Sequence, residues 1–248
     1  MDYILYITGS ILIIPAIIFA LVAQVKVMGA FDHYKTVPST KGMTAAEVAR
    51  RMLRDNGVSG VEVIQTGGHL TDHYDPKRRV VALSDEVYGS SSLAAIGIAA
   101  HEVGHAIQHH TKYAPLILRQ LVIKSTSLVN KLLMPLIIIG IFGSFFFIGG
   151  TILGLEADLF WFIFILAFCV LYGISFAVNL ITLPTEYNAS RRAKKLLRTG
   201  GYLFDDEEYH AVSKVLGAAA LTYLASLLVS LAYFLRFLGL LLSMTRRD

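Results

Sequence analysis

Residues 132–185 read LLMPLIIIGIFGSFFFIGGTILGLEADLFWFIFILAFCVLYGISFAVNLITLPT, and this stretch decides the fold. It holds two runs without a charged side chain, 132–155 and 159–185, which are separated only by the acidic turn 156–158. Each run exceeds the roughly 20 apolar residues that a helix needs to cross a hydrocarbon core about 30 Å thick. The stretch therefore predicts a hairpin of two transmembrane helices.

Two further uncharged runs, 3–25 and 215–235, are also long enough to span. Only 16% of the 248 residues are charged, whereas a typical soluble domain has about 25%. We therefore predict an integral membrane protein, mostly α-helical, with about four transmembrane helices. For the first run, an uncleaved anchor fits better than a cleaved signal peptide because no clear cleavage site follows it. Arg236 leaves open whether the last helix crosses fully or only dips into the membrane.

The distribution of Lys and Arg predicts the orientation in the membrane. Thirteen basic residues lie between the first and second spans, and a second basic cluster, 191–198, follows the third. Because cytoplasmic loops carry an excess of Lys and Arg, both polar segments should be cytoplasmic. Arg246 and Arg247 do not fit this pattern if the last helix crosses fully. The modest net charge of +4 lies beside apolar segments, which suits a lipid bilayer and indicates no nucleic-acid partner.

The polar segment between the first two spans predicts a small α+β unit at the cytoplasmic face. Its predicted elements are a capped amphipathic helix (45–56), two strands (58–65 and 79–83) and a helix (93–110). The chain then divides into five segments: an anchor (1–25), the cytoplasmic unit (26–131), a transmembrane hairpin (132–185), a second cytoplasmic segment (186–214) and a carboxyl-terminal transmembrane or membrane-embedded helix (215–248).

Residues 101–105 read His-Glu-Val-Gly-His, within the predicted helix 93–110. Side chains four positions apart share one face of a helix and lie about 6 Å apart along its axis. His101 and His105 can therefore bind one metal ion, and Glu102 can reach its open side as a general base. Two histidines and a glutamate would be costly to bury on an apolar helix without partners. The pattern predicts one Zn²⁺ per chain rather than a chance occurrence.

The third ligand has to come from another part of the chain. His109 lies two helical turns from His101, too far to share its ion, and Thr111 stands where a longer motif has a third histidine. Neither His109 nor His110 is therefore expected to be a ligand. Glu186 follows the third span, and the hairpin returns the chain to the side that it left. Glu186 can meet the histidines there, although an ordinary carboxylate at a helix amino terminus also fits the residues.

These segments together resemble the YugP-type membrane zinc metallopeptidases, a family of neutral zinc metallopeptidases that is distantly similar to the HtpX-type gluzincins. The resemblance rests on 70–76, 101–109, 186–193 and 218–223 and covers nearly the whole chain. It implies a zincin-like metalloendopeptidase in which Glu186 is the third zinc ligand. The HtpX-type enzymes usually carry an aspartate where this chain has Ser190. The residue that orients a zinc histidine must then differ, and Asn188 or Ser190 is a candidate.

The expected reaction is hydrolysis of peptide bonds in a polypeptide substrate by zinc-activated water, with Glu102 moving the proton. His210, Tyr223 and Arg191 are candidates for stabilising the transition state. The strand 79–83 is either an edge to which an extended substrate adds or an ordinary core strand. By analogy, a role in membrane protein quality control fits this activity.

Two other functions fit parts of the pattern. An intramembrane, site-2-type metalloprotease shares the histidine motif, but the Asn-Pro-Asp-Gly-like loop that usually supplies its aspartate ligand does not occur in the sequence. A catalytically silent membrane scaffold would keep zinc for structure alone. An assay of zinc content together with proteolysis distinguishes a scaffold from an enzyme.

Overall fold

The computed structural model describes residues 2–146, 151–152 and 155–245, most of which are helical. The described elements are α1 (Asp2–Tyr34), α2 (Ala45–Asp55), β1 (Glu62–Thr66), β2 (His73–Asp75), β3 (Val80–Ser84), α3 (Asp85–Tyr88), α4 (Leu93–His110), α5 (Ala114–Phe146), β4 (Thr151–Ile152), β5 (Leu155–Glu156), α6 (Ala157–Thr199) and α7 (Asp206–Thr245). Two compact units result. The helical unit comprises segments 1–20, 119–181 and 224–248, and the mixed unit comprises 21–118 and 182–223.

Four described helices, α1, α5, α6 and α7, are long and apolar enough to cross a membrane by length and composition. α1, α6 and α7 each contain one of the four uncharged runs, and α5 contains the first part of the run 132–155, so the prediction of four such helices is confirmed. α7 continues as one helix through Arg236. Parts of the second run (147–150 and 153–154) and the predicted basic end Arg246–Arg247 lie outside the described residues.

The second run is not helical to its end. α5 is described as far as Phe146, and β4 and β5 pair as two short antiparallel strands. The described residues between α5 and α6 thus include two short paired strands.

The mixed unit is built around a three-stranded sheet in the order β1-β3-β2. β1 runs parallel to β3 and β2 runs antiparallel to it. All five residues of β3 are buried. Since β3 is paired on both sides, the suggestion that the strand 79–83 is an edge open to a substrate is wrong, and the core-strand alternative is correct.

Helix α2 covers the core beside α4. The predicted capping box is present: Thr44 Oγ1 accepts from the Glu47 amide at 3.3 Å, and the Glu47 carboxylate accepts from the Thr44 amide at 2.9 Å. The apolar face of α2 is fully buried at Val48 and Met52. Losing the Met52 side chain would cost about 2–5 kcal/mol of stability, the usual range for such truncations in a core.

Helix α4 is the central helix of the mixed unit. Ser92 caps its amino terminus, with Oγ accepting from the Ala95 amide at 3.3 Å, and Thr111 follows its last turn. Most of its side chains are buried against the other elements of the same unit. The apolar side chains of this 18-residue helix are therefore covered by the mixed unit itself. α4 is a core helix and is not one of the four candidate membrane spans.

Candidate metal centre

The two histidines of the motif lie one turn apart on α4 and face the same way. Their ring centroids are 4.7 Å apart and their planes are nearly perpendicular, at 86°. Ala99, Ala100, Val103 and Ala106, the small and apolar residues around them, are buried in the core. Packing of the surrounding helix thus fixes where the two imidazoles point.

Glu186 brings a carboxylate to these rings from α6. Its Oε2 atom lies 3.1 Å from His101 Nε2 and 3.4 Å from His105 Nε2. The residue is only 1% exposed. Both imidazoles therefore present the same type of nitrogen to one buried carboxylate oxygen, although 80 residues separate Glu186 from His105.

These separations match those between neighbouring ligands of a tetrahedral zinc ion. With metal–ligand bonds of about 2.0–2.1 Å at the tetrahedral angle, neighbouring ligand atoms lie about 3.3–3.4 Å apart. One ligand atom from each of His101, His105 and Glu186 falls within 4.8 Å of the others. Two imidazole nitrogens and one carboxylate oxygen are also the donor atoms that zinc prefers in catalytic sites. The residues present therefore fit a zinc ion.

Gln108 holds His105 in the ring state that a metal requires. Its amide nitrogen donates to the Thr185 carbonyl at 2.8 Å and to Asn188 Oδ1 at 3.0 Å. A backbone carbonyl can only accept, so the other amide atom, Oε1, must be the one that faces His105 Nδ1 at 3.0 Å. Nδ1 of His105 then carries the proton, which leaves an unprotonated Nε2 toward Glu186. Gln108 is completely buried.

His101 has a different outer partner, on α6. Its Nδ1 lies 3.1 Å from Ser190 Oγ. Asn188, the other candidate for orienting a histidine, acts one step further out: its Oδ1 accepts from Gln108 and also from Arg192 Nε at 2.8 Å. Both candidates thus lie beside the cluster, one on each histidine's side. Such outer hydrogen bonds fix the orientation of metal-binding imidazoles.

Gly104 allows α4 and α6 to approach closely between the two histidines. A Cβ atom at this position would stand 2.6 Å from the Ala189 carbonyl oxygen, closer than real Cβ contacts occur. Ala189 itself is completely buried. Gly104, the second of the two positions that the motif leaves variable, is therefore constrained here by packing rather than by chemistry.

Comparison with known proteins agrees with this geometry. A family model described as "Putative neutral zinc metallopeptidase" matches residues 9–242. The chain belongs to this family. It is also 43% identical over 221 residues to a protein of Bacillus subtilis (strain 168) named "Putative membrane protease YugP", and the match covers 89% of this chain and 91% of that protein. No solved structure matches the chain significantly. The resemblance inferred from the motifs is confirmed.

In this family member, Glu102 lies on the wall of a cavity of about 480 Å³ that also reaches His101. Glu102 is 9% exposed. The same cavity is lined by Tyr223 and by Leu70 and Asp72 from the loop before β2. Of the candidates for transition-state stabilisation, Tyr223 is the one that the structure brings to the cavity beside the histidines.

The remaining candidates lie elsewhere in the described part of the chain. His210 is exposed, with its ring 6.0 Å from that of Tyr209, and Arg191 is exposed on α6. His109 Nδ1 contacts the Tyr74 hydroxyl at 2.8 Å, and burial raises the pKa of Tyr74. His110 is exposed.

Sequence reasoning gave no role to Gln108, although two signals could have marked it. It is an uncharged amide on a largely apolar helix, where a polar side chain needs partners if buried. It also stands three positions after His105, within reach on the helix surface.

Proposed function

We propose that this protein is a membrane-anchored zinc endopeptidase in which His101, His105 and Glu186 bind the metal and Glu102 is the general base. The proposal rests above all on the approach of both Nε2 atoms to one buried carboxylate oxygen at 3.1 and 3.4 Å. Membership in a family of neutral zinc metallopeptidases, with a relative named as a membrane protease, supports the same chemistry.

In this mechanism, His101, His105 and Glu186 bind the metal, and Glu102 transfers the proton. Zinc bound there would supply a Lewis acid that polarises the scissile carbonyl and makes water more acidic. His101 and His105 keep their Nε2 lone pairs toward the ion because their Nδ1 atoms are held by Ser190 and Gln108. The Glu102 carboxylate takes the proton of the attacking water and returns it to the leaving nitrogen.

Substitution of Glu102 by glutamine tests this assignment. Glutamine keeps the shape of the side chain but cannot act as a base at neutral pH. We expect Glu102→Gln to retain zinc, measured by elemental analysis of the purified protein, and to lose casein cleavage by at least about 100-fold, the contribution of a general base. Glu62→Gln is a matched control, because Glu62 is an exposed residue of β1. Retained cleavage by Glu102→Gln would refute the role of Glu102.

The alternative of a silent scaffold gives a different result in the same experiment. A scaffold would bind one zinc ion in the wild type and in Glu102→Gln, and neither protein would cleave casein. An intramembrane protease would instead cleave only substrates embedded in lipid. Its usual aspartate ligand is replaced in our proposal by Glu186, whose carboxylate lies beside both rings.

We further propose that the protein is a multi-pass membrane protein with its catalytic site on the cytoplasmic side, where it could serve membrane protein quality control. The excess of Lys and Arg in 26–131 and 186–214 supports this orientation. A cysteine placed at Lys77 in a Cys169→Ala background would test it. In intact cells, a maleimide that cannot cross membranes should leave this cysteine unlabelled until lysis, and labelling before lysis would reverse the orientation.

A further inference from the structure

Much of the lining of the cavity beside the metal centre is apolar. Its walls include Val27, Met28 and Phe31 of α1, Ile98 of α4, and Val215 and Leu216 of α7. Its volume of about 480 Å³ lies within the range of roughly 300–1,000 Å³ that is typical of ligand pockets. Apolar walls next to the proposed general base would bind apolar side chains of a peptide.

These walls stand where the chain changes from apolar to polar. Val27 and Met28 directly follow the uncharged run 3–25, and Val215 and Leu216 begin the run 215–235. In membrane proteins, such boundaries between an apolar run and a polar segment lie near the bilayer surface. The positions of Val27, Met28, Val215 and Leu216 at the ends of these runs therefore favour a cavity near the bilayer surface, where transmembrane helices of other proteins also emerge.

The lining of the cavity also includes acidic side chains. Asp32, Asp72 and Glu102 line it, and none of its described lining residues is Lys or Arg. Asp72 is held by neutral donors, the Ser84 amide at 2.8 Å and the Ser84 hydroxyl at 3.0 Å, so its charge is not cancelled there. Asp32 forms an ion pair with Lys35 at 2.5 Å, but its side chain is 60% exposed, so a second cationic group can still approach it.

We propose that the cavity binds the segment with which a transmembrane helix emerges on the side of the metal centre, with apolar residues on the α1 and α7 walls and a Lys or Arg near Asp32 and Asp72. Cytoplasmic ends of transmembrane helices have this composition, an apolar run followed by basic residues. The substrates are then membrane-inserted polypeptides cut at the bilayer surface. This inference rests on the proposed peptidase function and specifies its substrate class.

Binding to the inactive protein tests the inference without requiring turnover. Full-length Glu102→Gln, loaded with zinc, is placed in nanodiscs of phosphatidylcholine, whose lack of net charge avoids attraction of peptides to the lipid. Fluorescein-labelled peptides carry the same apolar run followed by Lys-Lys-Arg, Gln-Gln-Asn or Glu-Glu-Asp, and anisotropy gives their Kd values. We expect the basic peptide to bind at least about tenfold more tightly than the acidic one, with the neutral peptide between them.

Variants of the lining residues separate charge from shape. Asp32→Asn and Asp72→Asn should each reduce the preference for the basic peptide by about threefold or more, whereas Glu62→Gln should leave it unchanged. Asp72→Asn retains an oxygen that can accept from Ser84, and the exposed Asp32 can be changed without disturbing a core. Ala219→Phe, which places a large apolar side chain into the cavity, should weaken binding of all three peptides alike.

Equal Kd values for the three peptides, or a preference that survives loss of both aspartates, would overturn the inference. Casein cleavage by the wild type, measured in parallel, keeps this failure separate from that of the proposed function. If casein is cleaved but the peptides bind alike, only the substrate class is wrong. If casein is not cleaved and Glu102→Gln behaves as the wild type, the peptidase itself is wrong.

Discussion

Replacing Gly104 with alanine should disrupt the metal centre without touching a ligand. The new Cβ would lie 2.6 Å from the Ala189 carbonyl oxygen, and ordinary contacts begin at 3.4 Å. α4 and α6 must therefore separate locally by about 0.4–0.8 Å, whereas zinc–ligand distances tolerate only about 0.2 Å. We expect a loss of zinc affinity of at least about tenfold, or about 1.4 kcal/mol. Overpacking should also lower the free energy of unfolding by about 1–3 kcal/mol.

Two other helical glycines of the mixed unit provide a graded control. At Gly97 a Cβ would meet a Val212 methyl group at 3.1 Å, a contact that a side chain can relieve, and at Gly217 it would meet nothing within 4 Å. Gly217→Ala should bind zinc like the wild type and be slightly more stable, since alanine is favoured in helices by about 1 kcal/mol. Gly97→Ala should fall between the two variants.

Competition with a chromophoric chelator gives the zinc Kd of each variant in this series, and thermal unfolding gives its stability. The reasoning depends on Gly104 setting the distance between the histidines and Glu186. If Gly104→Ala binds zinc as tightly as Gly217→Ala does, close approach of the backbones is not what holds the three ligands together.

Three further predictions concern ligand support and stability. Gln108→Leu removes the acceptor at His105 Nδ1 and should weaken zinc binding about 10–100-fold in the chelator assay, so unchanged affinity would contradict the assigned ring state. Zinc at about 100 times its Kd should stabilise the chelator-treated protein by about 2.7 kcal/mol in thermal unfolding, whereas Glu186→Gln should show little shift. Tyr202 donates a hydrogen bond to Asp55, and burial, with a smaller effect of Asp55, raises the pKa of Tyr202 to about 12. Because this pKa is higher in the folded state, the contribution of Tyr202 to the free energy of unfolding is complete below the ordinary pKa of about 10 and is lost as the pH rises toward 12. Melting curves of Tyr202→Phe should lack this loss of stability between about pH 10 and 12.

Features set by local spacing could be predicted from the sequence. The helix 93–110 was predicted with the bounds that α4 has, because a serine at 91 or 92 could cap it, and Ser92 is the residue that does so. The four uncharged runs predicted the four long helices, since length and hydropathy are local properties. The carboxyl-terminal end of the first helix was predicted at residue 25, whereas α1 continues to Tyr34. Lys26 ends the apolar run, but a single charged residue does not end a helix.

Features that depend on distant partners were less accessible. β2 reads as a polar loop, and three residues show no useful alternation; the strand exists because β3 pairs with it. The central position of β3 likewise depends on both neighbours. For Glu186, the residues alone fitted either a ligand or a helix-terminal carboxylate, and the family resemblance favoured the ligand. Its position beside the two imidazoles depends on how α6 packs against α4, which no local pattern specifies.

The order of the ligands along the chain has a consequence for biosynthesis. The histidine pair is synthesised first, and Glu186 follows only after 80 intervening residues, which include the predicted membrane hairpin. If the hairpin must insert before its far end can return, a nascent protein outside the membrane lacks a complete set of zinc donors. If the proposed function and orientation hold, insertion would then act as the activation step and keep an uninserted protein inactive in the cytosol. Chains translated in vitro should accordingly acquire tightly held zinc only when lipid vesicles are present during synthesis.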